Sequence, residues 1–144
     1  MSEARDVEIG DLDWTDFDIP GGNMPVRLVT MRVEPATNSR TVFVYFPEGW
    51  TRAQAGSYAC AEEVVVIDGA FEMNREMYSA GEWAYVGSGV ERRLTKAAPY
   101  ALALSRFDGP VRWNAGPGSS PDGIDHRALT VETRGGANPF GAQR

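Results

Sequence analysis

The clearest structural signal in this sequence is the segment Glu62-Glu63-Val64-Val65-Val66-Ile67-Asp68-Gly69. Its four consecutive apolar residues are typical of a strand that is covered on both faces and lies centrally in a sheet. Asp-Gly, which follows them, is a dipeptide favoured in tight type I′ hairpin turns. The segment therefore predicts a buried strand, Glu62–Ile67, that turns directly into a second strand, Ala70–Met73.

Short strand-like segments continue on both sides of this hairpin. The chain contains 16 glycines and nine prolines among 144 residues, and no stretch keeps a helical apolar pattern over three turns. Further strands are predicted at Val26–Val33, Arg40–Phe46, Trp83–Val86 and Tyr100–Phe107. Many short strands at this spacing predict an all-β sandwich or barrel.

The two ends of the chain differ from its centre in composition. Seven of the 20 acidic residues lie in residues 1–18, so residues 1–25 are predicted to be a solvated acidic segment before a barrel at 26–113. Residues 114–144 are rich in glycine and proline, which predicts a tail. Leu129-Thr130-Val131 and Phe140 give this tail apolar positions with which it could dock on the barrel or on a partner subunit.

Composition excludes several classes of function. Lys and Arg number 14 against 20 Asp and Glu, a net charge of -6, which argues against binding to nucleic acid. The single histidine, His126, and the single cysteine, Cys60, exclude a disulfide framework or a site with two histidines within one chain. No long apolar run and no signal-peptide pattern occur, so a cytoplasmic protein without membrane contact is expected.

Three segments carry a resemblance to a known family. Phe46-Pro47-Glu48-Gly49-Trp50, the Glu62–Gly69 segment, and Gly81-Glu82-Trp83-Ala84-Tyr85-Val86-Gly87-Ser88-Gly89-Val90 together resemble the small single-domain bacterial cupins. The resemblance implies a cupin-type double-stranded β-helix, which is a jelly-roll barrel. It also implies a homodimer.

The resemblance is incomplete where the family binds its metal. Glu62 matches the metal-ligand glutamate, but Gly56, Tyr58 and Arg92 stand where the three histidines would be. A guanidinium stays protonated and repels a cation, so no metal and no other cofactor are expected. His126 is interpreted as a solvated tail residue rather than a ligand, and Cys60 as a small, partly buried apolar residue.

The same positions suggest a function without a metal. Glu62, Tyr58 and Arg92 would project into the barrel, where Glu62 could act as acid/base and Tyr58 as hydrogen-bond donor in an isomerase, lyase or cyclase. Arg92 would orient the reacting groups or anchor an anion. The substrate would be a small hydrophobic carbonyl or aromatic compound, and the candidate substrate-binding residues are Tyr45, Trp50, Trp83, Tyr85 and Arg106. The sequence does not fix which strand faces line the interior. A non-catalytic binding or sensory cupin, or a structural protein that keeps Glu62 and Arg92 as an ion pair, remains an alternative.

Overall fold

The computed structural model describes residues 7–129, and all structural statements concern these residues. They form strands separated by turns, with two three-residue 3₁₀ helices at Ile9–Asp11 and Pro121–Gly123. Neither helix is long enough to span a membrane. The strands are β1 (Thr15–Phe17), β2 (Val26–Val33), β3 (Arg40–Phe46), β4 (Thr51–Arg52), β5 (Gly56–Tyr58), β6 (Glu62–Met73), β7 (Glu76–Ser79), β8 (Glu82–Val86), β9 (Thr95–Phe107), β10 (Trp113–Ala115) and β11 (Asp125–Ala128).

The strands form one large antiparallel sheet and one small one. The large sheet has the order β1-β2-β3-β9-β6-β8-β11, with β4 paired to β9 and β7 paired to β6. The small sheet pairs β10 with β5. The predicted all-β architecture is confirmed, and β2 and β3 have the predicted bounds.

The segment around Gly69 differs from its prediction. β6 runs without a turn from Glu62 to Met73, and its register against β9 shifts between Gly69 and Phe71. Gly69 has φ +72°, and a Cβ there would collide with the backbone oxygen of Tyr100. The predicted hairpin at Asp68-Gly69 is therefore wrong, because the positive φ that glycine supplies serves a β-bulge here instead of a turn.

The hairpin turn itself lies six residues further on. Asn74 and Arg75 connect β6 to β7, and both have positive φ, at 55° and 67°. Two central residues with positive φ define the type I′ geometry. Asn-Arg carries a weaker turn signal than Asn-Gly, which is why the sequence did not reveal this turn.

Alternation along β6 separates an inner face from an outer one. Val64 and Val66 are buried in the core, whereas Val65 is half-buried and Ile67 is 38% exposed. β6 does lie centrally, between β9 and β8. The expectation of complete cover on both faces is wrong, since only the inner face packs against other core residues.

Both ends of the described chain contact the barrel. β1 pairs with β2, β10 with β5, and β11 with β8. Leu129 is exposed, and the predicted docking contacts of residues 130–144, including Phe140, lie outside the described residues. The division into residues 1–25, 26–113 and 114–144 stays a prediction.

Candidate functional site

The inner face of the barrel encloses a cavity of about 150 Å³. Most of the side chains that line it are apolar, and they come from β2, β3, β6, β8 and β9. Phe17 of β1 and Ile19 also line it, so part of the acidic N-terminal segment contributes a wall. The polar and charged side chains that line the cavity are Thr30, Arg40, Arg52, Tyr58, Glu62, Arg92, Thr95 and Ser105.

Glu62 and Arg92 form an ion pair at this cavity. Arg92 Nη1 donates to Glu62 Oε1 at 2.5 Å, and the two side chains are only 6% and 11% exposed respectively. Glu62 begins β6, and Arg92 is held beside β5 by two backbone hydrogen bonds with Gly56. These backbone contacts fix the guanidinium opposite the carboxylate, as the motif spacing led us to expect.

Tyr58 contacts two arginines. The Arg92 guanidinium lies 4.7 Å from the centre of the Tyr58 ring, within the range of a cation–π contact. Arg52 Nη1 donates to Tyr58 Oη at 3.0 Å. A guanidinium can only donate, so this bond uses a lone pair of Oη and not the phenol hydrogen. That hydrogen can be donated to another acceptor in the cavity.

Arg52 is a residue of the site that the sequence reasoning missed. It lies on β4, is 3% exposed, and stacks its guanidinium on the Trp113 ring at 3.9 Å. β4 is only two residues long, so no alternation pattern indicates its inward orientation. Arg40 was also missed, although it lies two and four residues before the buried Val42 and Val44 and so shares their face of β3, a pattern that could have placed it on the inner face.

Several buried donors of this site have no hydrogen-bond partner within residues 7–129. They belong to the three arginines and to two neutral side chains. The atoms are Arg40 Nε, Arg52 Nε, Arg92 Nε, Arg92 Nη2, Trp50 Nε1 and Ser105 Oγ. Buried polar groups are normally hydrogen-bonded, so a cluster of free donors around one cavity is unusual and favours a polar ligand there.

The predicted substrate-binding residues divide between the two faces of the sheet. Trp50 is 1% exposed and lines the cavity. Tyr45, Trp83, Tyr85 and Arg106 do not line it, because they alternate with inward residues of β3, β8 and β9. The strand phase therefore corrects the expectation that these four side chains line the interior.

On the outer face of the sheet, Trp83, Tyr85 and Arg106 lie next to Glu63. Tyr85 and Arg106 lie on either side of Glu63 in the strand register, and Trp83 Nε1 donates to Glu63 Oε2 at 3.1 Å. Glu63 therefore faces away from Glu62, because successive residues of a strand point to opposite faces.

His126 is not the solvated tail residue that was expected. It lies on β11, stacks on Tyr78 with ring centres 4.1 Å apart, and places Nε2 2.8 Å from Glu82 Oε1. This hydrogen bond is the main reason that the pKa of Glu82 is lower than usual. Local composition did not reveal this position, because it depends on the pairing of β11 with β8.

Cys60 is buried, as expected. Burial raises the pKa of its thiol, and the carboxylates of Asp108 and Glu62 raise it further. A thiolate is the nucleophilic form of cysteine, so this environment disfavours a nucleophilic role.

The residues at the family's metal positions do not fit a metal ion. Gly56, Tyr58, Glu62 and Arg92 lie together, but they offer one carboxylate, and its Oε1 already accepts a hydrogen bond from Arg92. A guanidinium among the ligand positions repels a cation. Within residues 7–129, no group of three His, Cys, Asp or Glu side chains is placed to bind a metal.

Comparison with known proteins gives matches in structure alone. No family model and no curated protein matches the sequence. A candidate acetylacetone dioxygenase from Methylibium petroleiphilum PM1 has a TM-score of 0.64 at 19% identity, over 85% of each chain. An acetylacetone dioxygenase from Acinetobacter johnsonii has a TM-score of 0.65 at 17% identity, over 83% of this chain and 87% of that chain.

A third match is to an RmlC-like cupin protein from Ralstonia eutropha. Its TM-score is 0.61 at 12% identity, over 81% of this chain and 79% of that chain. The TM-scores of these matches establish a shared fold, and sequence identities this low leave the activity open.

Proposed function

Because this chain has the cupin fold without the family's three metal-ligand histidines, we propose that it is a metal-independent enzyme for a small carbonyl compound. The reaction class is proton transfer beside a carbonyl group, as in an isomerase, lyase or cyclase. Glu62 is the acid/base residue, Tyr58 the hydrogen-bond donor and Arg92 the residue that orients Glu62. The observation that carries the proposal is that a carboxylate, a phenol and a guanidinium line one largely apolar cavity.

Each of the three groups can supply one part of such a reaction. The Glu62 carboxylate takes a proton from the carbon beside the carbonyl, and returns it to a different carbon in an isomerisation. The Tyr58 hydroxyl donates to the oxygen on which negative charge develops. Arg52 supports this role, because its hydrogen bond to Tyr58 Oη leaves the phenol hydrogen available.

A non-catalytic binding protein is the second candidate. The 2.5 Å hydrogen bond from Arg92 occupies Glu62 Oε1, and such a buried pair can persist for structural reasons alone. In that case the same residues would recognise a ligand without converting it.

Deuterium exchange separates the two candidates. Wild-type protein is incubated in D₂O with a panel of small aliphatic and aromatic ketones and aldehydes, and loss of the proton beside the carbonyl is followed by NMR. We expect exchange with at least one compound, and we expect Glu62→Gln to abolish it while ligand affinity survives. Glu63→Gln is the matched control, because Glu63 is exposed on the outer face of the same strand.

The outcomes discriminate clearly. Exchange that persists in Glu62→Gln would remove Glu62 from the acid/base role. Saturable binding of a panel compound without exchange by the wild type would favour the binding protein.

A homodimer in the cytoplasm remains our proposal for the physical state of the protein. The support for the homodimer is the family resemblance. Light scattering after size-exclusion chromatography tests it, and a mass near the 15.7 kDa of one chain would contradict it.

A further inference from the structure

Arg52 is a buried cation without an acidic partner. Within residues 7–129, no carboxylate lies within ion-pair distance of its guanidinium, and its Nε has no hydrogen-bond partner. Its contacts are a neutral phenol, Tyr58, and a neutral indole, Trp113. A buried charge without a counter-ion is unfavourable, so an anion bound beside Arg52 would offset this cost.

Arg92 offers free donors beside the same ring. Glu62 uses only Nη1, while Nε and Nη2 of Arg92 are buried without a partner within residues 7–129. The guanidinium carbons of Arg52 and Arg92 lie 5.5 and 4.7 Å from the centre of the Tyr58 ring. Arg52 and Arg92 therefore both contact Tyr58, and all three residues line the cavity.

The charge of the cavity lining also favours an anion. Arg40, Arg52 and Arg92 contribute three positive charges, and Glu62 contributes the one negative charge among the lining residues. The remaining lining side chains are neutral and mostly apolar. A ligand that matches this lining carries negative charge at one end and an apolar body at the other.

We propose that the cavity binds a small monocarboxylate with a compact apolar body. The carboxylate accepts hydrogen bonds from Arg52 and Arg92, and the apolar body contacts the walls around Trp50. A planar carboxylate matches the planar edge of a guanidinium. A cavity of about 150 Å³ suits a body the size of one benzene ring.

This proposal names the substrate class of the site proposed above, and it depends on that function only for the role of Glu62. In a substrate of the enzyme, the apolar body would also carry the carbonyl group beside which Glu62 moves a proton. The proposal concerns recognition, so binding can be measured whether or not turnover occurs.

Isothermal titration calorimetry with matched probes tests the proposal. Benzoate is compared with benzamide, and butyrate with butyramide, because each pair keeps the apolar body and changes only the charge. Phenylphosphonate and inorganic phosphate test whether another anion is preferred. We expect a carboxylate to bind at least about tenfold more tightly than its amide, since hydrogen bonds to charged groups are the strong ones.

Arginine variants identify the residue responsible. Arg52→Met should weaken carboxylate binding by about tenfold or more, because it removes the unpaired charge and keeps much of the apolar stem. Arg27→Gln is the control, since Arg27 lies on β2 with its side chain 60% exposed. If Arg52→Met does not fold, the comparison of acid and amide in the wild type still decides the proposal.

Four results would overturn it: equal affinity for acid and amide, unchanged affinity in Arg52→Met, preference for phosphonate or phosphate, or no carboxylate binding up to solubility. Equal affinity for acid and amide would not contradict the proposed enzyme, whose substrate would then be neutral. Carboxylate binding, together with no deuterium exchange of any ketone or aldehyde of the panel, would support this inference and contradict the enzyme. The two proposals can therefore fail separately.

Discussion

Replacing Glu62 by leucine removes the carboxylate with which Arg92 forms its ion pair. The two side chains are 11% and 6% exposed, and the bond between them is 2.5 Å long, so the charge left on Arg92 has little access to water. Removing one partner of a buried pair typically costs about 3–5 kcal/mol of the free energy of unfolding. For a chain of this length, that corresponds to a fall in Tm of about 10 °C.

Removing both charges should be less damaging than removing one. In Glu62→Leu/Arg92→Met no uncompensated charge remains from the pair, and apolar side chains of similar volume take its place. We expect the double variant to recover at least about 2 kcal/mol relative to either single variant, because paired removal is often neutral. The interaction energy from this double-mutant cycle measures the coupling between the two residues.

Urea unfolding at pH 7, followed by tryptophan fluorescence without ligand, provides the free energies. Glu63→Gln is the control on the outer face, with an expected change within about 0.5 kcal/mol. A loss below about 1 kcal/mol in Glu62→Leu would show that water reaches the pair. Additive effects in the double variant would show that the two charges do not depend on each other. Either result would refute the reasoning from burial.

Three further predictions concern other parts of the chain. The hydrogen bond with His126 lowers the pKa of Glu82, so Glu82 contributes stability above its unfolded pKa near 4.3, and that contribution is lost as the pH falls through the lower folded pKa. The stability difference between wild type and Glu82→Gln in urea unfolding should therefore shrink from pH 7 to pH 3, and an unchanged difference would contradict this assignment. Gly69→Ala should lower the free energy of unfolding by about 3 kcal/mol or more in the same assay, because its Cβ would meet the backbone of Tyr100 at φ +72°. Gly89→Ala has a similar φ of +78° but open space around the Cβ, so it should lower the free energy by only about 1 kcal/mol. Equal losses in the two variants would argue against the collision. Because Cys60 is buried and its thiol pKa is raised, reaction with a disulfide reagent at pH 8 should be about 100-fold slower in the native protein than in urea, and equal rates would place the thiol in solvent.

Strand identity was readable from the sequence where a segment rich in β-branched and aromatic residues lies next to turn residues. Pro20-Gly21-Gly22 precedes β2 and Pro47-Glu48-Gly49 follows β3, and the bounds of both strands were predicted to the residue. Around Asp68-Gly69 the signals are ambiguous, because a residue with positive φ serves a hairpin turn and a β-bulge equally well. The choice depends on the neighbouring strand β9, whose approach to Gly69 is a tertiary contact.

Three residues of the site were predictable from the spacing of the family's motifs. Glu62, Tyr58 and Arg92 were placed by motif positions, and the structure brings them together as expected. Their catalytic roles stay predictions. Arg52 was missed because a two-residue strand has no periodicity to read, and its inward orientation depends on contacts with Trp113 and Tyr58.

Strand phase could not be read because both faces of the relevant strands look suitable for a cavity. On β8, Trp83 and Tyr85 alternate with Ala84 and Val86, and an aromatic face suggests a binding pocket as readily as a small aliphatic face suggests a core. Only the position of β8 within the sheet decides that the aliphatic face is the inner one.

The alternation along β9 has a consequence for how this protein can change over generations. Ala101, Ala103 and Ser105 point inward, and Leu102 and Leu104 point outward, so consecutive codons specify residues of opposite faces. Mutations at the inner positions can change the packing of the interior, and at Ser105 the cavity wall, while the exterior stays constant. Mutations at the outer positions can accumulate without reshaping the interior. Insertion of a single residue would exchange the two sets, so substitution is a tolerable route for divergence of this strand and insertion is not.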